Sequence, residues 1–161
     1  MEQPPLLNAS VAAFVQSGLS ITVAARDERL VPCIAKALAC RVDESRREVR
    51  VLLFADAAEA VSKQLALNGQ IAVCLSRPST HETVQLKGRD ARTALATAQD
   101  VAWARRSLDL FADDIGRLGW NREFADILLW RDPADLIAIC FTPEGAYAQT
   151  PGPGAGSAIT P

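Results

Sequence analysis

The fold is decided by residues 17–54, which read SGLSITVAARDERLVPCIAKALACRVDESRREVRVLLF. Apolar and polar side chains alternate over residues 19–25 and again over residues 49–53, and a period of two predicts half-buried β-strands. A second extended run, over residues 30–42, lies between them. Short polar turns separate the three runs. This order predicts an antiparallel meander, because a parallel sheet would need a helical crossover between successive strands.

The rest of the chain mixes helical and extended patterns. We predict helices over residues 6–17, 56–67 with Asp56 as N-cap, 93–118, and 121–130 with Asn121 as N-cap. Further strands are predicted over residues 70–76, 82–88 and 136–149. The pattern predicts a mainly β, α+β fold in which an antiparallel sheet closes into a small barrel with helices outside. We expect one domain over residues 1–149, a helical insertion over 93–130 and a flexible Pro/Gly-rich tail over 150–161.

Composition excludes several classes of function. There are 17 Lys and Arg against 19 Asp and Glu, and this net charge of −2 argues against a nucleic-acid-binding protein. No apolar run is long enough to span a membrane, and residues 1–5 lack a basic leader, so we expect a cytoplasmic protein. The single histidine and the scattered cysteines predict no metal site and reduced thiols inside strands: Cys33, Cys40, Cys74 and Cys140.

Basic side chains interrupt otherwise apolar strands. Lys36 and Arg41 lie among small residues of the second run, and Lys87 lies on a later strand. Cations among small side chains leave room and charge for an anion such as phosphate. The alternative is that these residues are the solvent-facing side of antiparallel strands, and alternation places positions 36 and 41 on opposite faces unless a bulge intervenes.

Three segments, in this order, resemble one known family. They are SITVAARD at residues 20–27, ALACRV at residues 37–42 and PSTHETVQLKG at residues 78–88, and the tail QTPGPGAG at residues 149–156 continues the likeness. Residues 11–156 are similar to the pyridoxamine 5′-phosphate oxidase-like split-barrel family, especially its small bacterial members. The resemblance implies a six-stranded antiparallel split barrel of Greek-key type, a homodimer, and FMN in two clefts at the dimer interface.

The resemblance also implies a site. In that family an Arg and a Lys five residues apart on the second strand hold the flavin phosphate, and Lys36 and Arg41 have that spacing with the types exchanged. A Ser-Arg-Lys run that begins the helix after the third strand is replaced here by Glu59, Ala60 and Val61. The C-terminal Arg and His cluster of the true oxidase is absent, which argues against oxidation of pyridoxamine phosphate. Further candidates for the phosphate, the ribityl chain or the ring edge are Thr80, His81, Thr83 and Lys87.

The resemblance therefore implies an FMN-dependent oxidoreductase that acts on a small-molecule substrate. Two alternatives stay open. Some relatives hold haem at the dimer cleft, and His81 would be the only histidine ligand here; others use the deazaflavin F420. A cofactor-free dimeric binding protein is the second alternative, and Ala60 and Val61 in place of basic residues favour it.

Overall fold

The computed structural model describes residues 4–161; residues 1–3, part of the stretch in which we expect no leader, lie outside the described residues. The helices are α1 (Ala9–Val15), α2 (Ala55–Asn68), α3 (Ala98–Gly116) and α4 (Arg122–Leu129). The strands are β1 (Ser20–Arg26), β2 (Pro32–Ala37), β3 (Ala39–Val42), β4 (Val49–Phe54), β5 (Ile71–Ser76), β6 (Thr83–Gly88), β7 (Arg92–Leu95), β8 (Leu136–Phe141), β9 (Gly145–Ala148) and β10 (Ala158–Ile159).

The strands form two antiparallel sheets. Sheet 1 has six strands in the order β10-β9-β6-β5-β1-β2, and sheet 2 has four in the order β3-β4-β8-β7. Within each sheet, all the paired neighbouring strands are antiparallel. The predicted antiparallel α+β fold is therefore confirmed, whereas the described strands do not close into one barrel.

The two sheets separate at Leu38. The extended run predicted over residues 30–42 is two strands, β2 in sheet 1 and β3 in sheet 2. The backbone N–H of Leu38 donates to the carbonyl oxygen of Leu52 at 2.8 Å, so the chain joins β4 at this residue. An extended chain that passes from one sheet to the other leaves no break in its sequence pattern, which is why the single strand predicted from the sequence is wrong.

Two apolar clusters lie on the two sides of sheet 2. The first fills the space between the inward side of sheet 1 and sheet 2, with α1 and α2, and contains Val23, Val73, Leu86 and Phe141. The second lies between the other side of sheet 2 and helices α3 and α4, and contains Leu52 and Leu108. Sheet 2 therefore lies between the first apolar cluster, shared with sheet 1, and helices α3 and α4.

The predicted helix over residues 93–118 begins too early. Residues Arg92–Leu95 are strand β7 at the edge of sheet 2, paired with β8. The helix begins only after Thr97, whose side chain accepts from the backbone N–H of Asp100 while the Asp100 carboxylate accepts from the N–H of Thr97. The sequence contains this reciprocal capping box as Thr-x-x-Asp. The helix was predicted to begin earlier because its start was placed from the helical periodicity and not from this motif.

The start of α2 also differs from the prediction. Asp56 does not cap the helix, because β4 runs directly into α2 and Phe54 is the N-cap residue without a side-chain hydrogen bond. Glu59, one turn further along the helix, pairs with Lys63 at 2.6 Å. Asn121 caps α4 as predicted, accepting from the N–H of Phe124 at 2.9 Å.

The C-terminal tail contains a short strand that the sequence did not predict. Residues Ala158 and Ile159 form β10, which pairs with β9 at the edge of sheet 1. Among the described helices, none combines the length and hydropathy needed to cross a bilayer. Over residues 4–161, the side chains of His, Cys, Asp and Glu form no cluster suited to a metal ion.

The four cysteines are free thiols within strands. Cys40 and Cys140 are buried, and Cys33 and Cys74 are half-buried. Burial raises the pKa of the Cys40 thiol to about 12, so this thiol stays protonated and unreactive at neutral pH.

Candidate functional site

Sheet 1 has one side that faces away from the core. Along β1, Ile21, Val23 and Ala25 are buried, while the alternate residues stay half-buried. We call the outward side chains of sheet 1 the outer face. Most of them are small or polar, and Ile34 on β2 is 69% exposed. The outer face therefore offers a shallow surface with no large side chains over its centre, made by Ser20, Thr22, Ala24, Ala72, Cys74 and Ser76.

The charge of sheet 1 is entirely positive. Its six strands contain no Asp or Glu, although the whole chain carries a net charge of −2. The three basic residues of these strands are Arg26, Lys36 and Lys87, and register places all three on the outer face. Concentrating cations on one face attracts anions to it.

Lys36 lies on the outer face at the edge strand β2. Its Nζ donates to Ser20 Oγ at 2.5 Å, and its residue pair on β1 is Thr22. Although much of this side chain is exposed, burial of the amino group lowers its pKa, and the Cys74 thiol partly opposes that shift. Within residues 4–161 no carboxylate lies within ion-pair distance of Lys36, so its charge is available to a ligand.

A cleft of about 600 Å³ lies where β1 ends and β5 begins, at one end of the outer face. Its size is within the ~300–1,000 Å³ that small-molecule sites usually occupy. The cleft is lined on its cationic side by Arg26, Lys87 and Arg89, and elsewhere by Gln70, Glu144 and Tyr147. We call it the Lys87 cleft.

The three cations of the Lys87 cleft differ in whether a carboxylate neutralises their charge. The Lys87 ammonium lies 4.9 Å from the centre of the Tyr147 ring and has no carboxylate partner in the described part of the chain. Arg26 donates to Gln70 Oε1 at 2.8 Å and to its neighbour's carbonyl oxygen, both neutral acceptors. Arg89 is paired with Glu144 at 3.3 Å, and both are exposed. Lys87 and Arg26 are therefore the uncompensated charges.

Because Gly145 has no side chain, the ring of Tyr147 can pack against it and line the cleft. A Cβ on Gly145 would come within 2.9 Å of the Tyr147 ring, closer than real contacts allow. A side chain at this position would push the ring away from Lys87. Tyr147 can therefore lie beside Lys87 and present a flat surface to a planar ligand.

Arg41 lies on a different sheet and has a structural partner. It points from β3 towards α3, where its Nη1 donates to Asp100 Oδ1 at 2.9 Å and its guanidinium lies over Trp103 at 5.7 Å. Arg50 binds the other carboxylate oxygen through Nε at 2.9 Å and Nη2 at 2.7 Å. The buried Asp100 thus joins two strands of sheet 2 to the first turn of α3.

Burial by itself raises the pKa of Asp100, but hydrogen bonds from Arg50, Thr97 and Arg41 outweigh it and lower the pKa to about 2. The carboxylate is therefore ionised wherever the protein is folded near neutral pH. Arg41 is committed to this buried charge and does not meet Lys36.

Three other predicted residues lie in or directly after the β5–β6 turn. Thr80 and His81 are exposed, and His81 has φ of +62°. Thr83 is buried at the start of β6, where its hydroxyl lies 2.9 Å from Ser76 Oγ and 2.9 Å from the His81 carbonyl oxygen and can donate its one proton to either. Asp114 on α3 fixes this turn by accepting from the N–H of Ser79 at 3.0 Å.

The structure brings together some of the predicted residues and separates others. Lys36, Thr83 and Lys87 share the outer face, and three strand spacings, about 14 Å, separate the strands of Lys36 and Lys87. Thr80 and His81 lie at the opposite end of β6 from Lys87, and Arg41 lies on sheet 2. Arg26 and Tyr147 line the cleft although neither is among the predicted site residues. Arg26 continues the alternation of β1 at an outward position, and this is the signal that could have found it.

The start of α2 fits a phosphate poorly. Val61 is completely buried, Ala60 carries no donor, and Glu59 brings a negative charge that Lys63 already neutralises. Asp56 adds a second carboxylate in the first turn. The cations that could hold a phosphate are therefore on the outer face and in the Lys87 cleft.

Comparison with solved structures identifies the fold. HupZ of Group A Streptococcus superposes with a TM-score of 0.57 at 12% identity, over 94% of this chain and 99% of the other. A protein of the pyridoxinephosphate oxidase family from Clostridium acetobutylicum, related to general stress protein 26 of B. subtilis, superposes with a TM-score of 0.54 at 15% identity, over 94% and 92%.

A pyridoxamine 5′-phosphate oxidase-related, FMN-binding protein from Nostoc punctiforme has a TM-score of 0.50 at 15% identity, over 96% of both chains. No protein-family model and no curated protein sequence matches the chain. The chain therefore has the fold of the pyridoxamine 5′-phosphate oxidase-like proteins, as the resemblance in its sequence predicts.

Proposed function

We propose that this protein is a homodimeric flavoprotein of split-barrel type that binds FMN between the outer faces of two copies and acts as an oxidoreductase on a small molecule. The observation that carries the proposal is the acid-free outer face of sheet 1, which ends in the cationic Lys87 cleft. The shared fold with an FMN-binding protein supports the choice of ligand.

The residues of the cleft suit a phosphorylated ring compound. Lys87 and Arg26 would hold the phosphate, because both carry charges that no carboxylate neutralises in the described residues. Tyr147 would lie against the planar part of the ligand, and the small side chains Ala24 and Ala72 leave room beside it. Lys36 would contact the ligand further along the face, and Thr83 at the far end.

Bound FMN would supply hydride or electron transfer, and this chain would supply binding and orientation. The outer face contains no acidic side chain that could serve as a proton acceptor. Packing of a second copy on this face would exclude water from the ring. We place the protein in the cytoplasm and expect neither nucleic acid nor membrane as a partner.

The test is the visible spectrum of the purified protein, followed by titration with FMN. We expect a flavin spectrum or quenching of FMN fluorescence on binding. Lys87→Met should weaken binding about 10-fold or more, because a hydrogen bond to a charged group contributes about 1.5–3 kcal/mol. Lys63→Met is the matched control, because Lys63 is exposed on α2 and already paired with Glu59. A colourless protein that takes up no added FMN would refute the proposal.

A cofactor-free dimeric binding protein is the second candidate, and the acidic, donor-poor start of α2 favours it. Equilibrium dialysis against FMN, F420 and haem separates the candidates. Uptake of none of the three would favour the cofactor-free protein. Haem ligation through His81 would give a Soret band that His81→Ala abolishes.

A further inference from the structure

Helix α4 has two apolar sides, and the described part of the chain covers only one of them. Ala125 is completely buried in the second apolar cluster, and Leu129 packs against that cluster. On the other side Phe124, Ile127 and Leu128 are exposed, Ile127 to 71% of its surface. Residues three and four apart lie on one face of a helix, so these three side chains form a stripe. We call this stripe the α4 face.

An aromatic pair extends the α4 face beyond the start of the helix. The ring of Trp120 stacks on the ring of Phe124 with the ring centroids 4.4 Å apart, and Trp120 is 52% exposed. Contiguous exposed apolar side chains mark interaction sites, and the buried centres of protein–protein interfaces are enriched in aromatic residues. The α4 face therefore has the composition of a surface that another protein chain covers.

Charged side chains stand at the two ends of the α4 face. Glu123 lies in the first turn of α4. Arg131 lies just beyond the last turn, where its Nη1 donates to the carbonyl oxygens of Trp130 at 2.9 Å and Ile127 at 3.4 Å. Both side chains are exposed, and neither forms an ion pair within residues 4–161. An acid and a base thus lie four residues before and four residues after Ile127.

This arrangement is complementary to itself when two α4 helices lie antiparallel. A two-fold axis at Ile127 places this side chain against its own copy, and it places Glu123 opposite the partner's Arg131 at both ends of the contact. The two helix macrodipoles also run in opposite directions, which is their favourable arrangement. A parallel arrangement would instead place like charges together at each end. Charge complementarity therefore favours a second copy of this chain as the partner.

A membrane surface suits α4 less well. Helices that lie on a membrane carry an excess of Lys and Arg on their polar side, because the lipid headgroups they bind are often anionic. The charged residues within α4 are Arg122, Glu123 and Asp126, and this helix therefore has more acidic than basic side chains. Arg122 is also already paired with Asp109 and Asp113 of α3.

We propose that the α4 face binds the α4 face of a second copy, with the two helices antiparallel about a two-fold axis at Ile127. This contact is separate from the outer face, because sheet 2 and the first apolar cluster lie between α4 and sheet 1. The inference goes beyond the proposed function and does not rest on it. It adds a second interface, through which dimers formed at the outer face associate further.

Sedimentation velocity of the full chain over a range of concentrations tests this surface. We expect Ile127→Glu to weaken association by about 10-fold or more, because it places two carboxylates against each other in an apolar contact. Leu67→Glu is the matched control, since Leu67 is a similarly exposed aliphatic residue on α2. Circular dichroism and thermal unfolding show whether both variants are folded. A wild type that is monomeric at every concentration, or an Ile127→Glu variant with the masses of the wild type, would overturn the proposal.

A charge exchange tests the antiparallel arrangement. Glu123→Arg alone places like charges opposite each other at both ends, and we expect it to weaken association by about 10-fold. Adding Arg131→Glu restores opposite charges between the copies and should recover most of the association. Within each helix the double variant has the less favourable placement of charge relative to the dipole, so recovery cannot come from a more stable α4. A folded double variant that associates no better than Glu123→Arg would overturn the antiparallel pairing.

A cross-link tests the position of the two-fold axis. Mild oxidation should convert Ile127→Cys to a disulfide-linked dimer on a non-reducing gel, because a residue at the axis lies within disulfide distance of its own copy. Leu67→Cys is the control, and the wild type gives the background from its four cysteines. A cross-link no stronger than that of Leu67→Cys would overturn the axis at Ile127. Binding of the wild type to phosphatidylcholine–phosphatidylglycerol vesicles that Ile127→Glu abolishes, without any change in mass, would assign the α4 face to a membrane and overturn the proposal.

Discussion

Asp100→Asn should destabilise the protein because it removes the carboxylate that binds both Arg41 and Arg50. The Asp100 side chain is fully buried, whereas the side chains of Arg41 and Arg50 keep 25% and 21% of their surface exposed. Removing one partner of a buried ion pair typically destabilises by about 3–5 kcal/mol. Solvent screening of the partly exposed guanidinium groups reduces this, so we expect about 2–4 kcal/mol at pH 7.

The same carboxylate makes stability depend on pH. Lowering the pKa of Asp100 from 3.8 to about 2 on folding corresponds to about 2.4 kcal/mol. Because the folded pKa is the lower one, this contribution is complete above the unfolded pKa and is lost as the pH falls towards 2. About 1 kcal/mol of it should be gone at about pH 3.

Urea unfolding of the wild type and Asp100→Asn at pH 7 and at about pH 3 measures both effects. The difference in unfolding free energy should be about 1 kcal/mol smaller at the lower pH. Asp113→Asn is the control, because this residue lies on the same helix with its side chain 70% exposed. A difference that stays constant with pH, or that is below about 1 kcal/mol at pH 7, would refute the argument that Asp100 is a buried, doubly paired anion.

Two further predictions concern the backbone. Gly18→Ala should destabilise by about 3 kcal/mol in thermal or urea unfolding, because φ is +76° and the new Cβ would lie 2.4 Å from the Leu110 Cβ and 2.8 Å from backbone atoms of α3. Gly116→Ala, with open space around its Cβ, is the control and should be neutral or slightly stabilising. Asn121→Ala should destabilise by about 1 kcal/mol through loss of the α4 cap, and Asn121→Ser should restore most of it; an unchanged unfolding curve for Asn121→Ala would contradict that assignment.

Local patterns predicted the parts of the fold that depend on local physics. The alternation in β1 and β4 follows from burial of one side of a strand, and the Asn121 cap follows from the unpaired N–H groups of a helix start. The same alternation correctly indicated that Lys36 and Lys87 lie on half-buried strands. These signals work because the residues that create them are neighbours in sequence.

The tertiary structure decided what depends on distant residues. Leu38 changes sheet because its N–H pairs with Leu52, and β7 is a strand because the edge of β8 accepts it. Arg41, expected near a phosphate, instead pairs with Asp100, 59 residues away. The Lys87 cleft forms because four strand ends meet, although none of the segments that line it has a binding motif. The sequence alone predicted β1, β4, β5 and β6 and the alternation of their side chains, whereas pairing between distant strands determined which charges are neutralised and which remain free to bind a ligand.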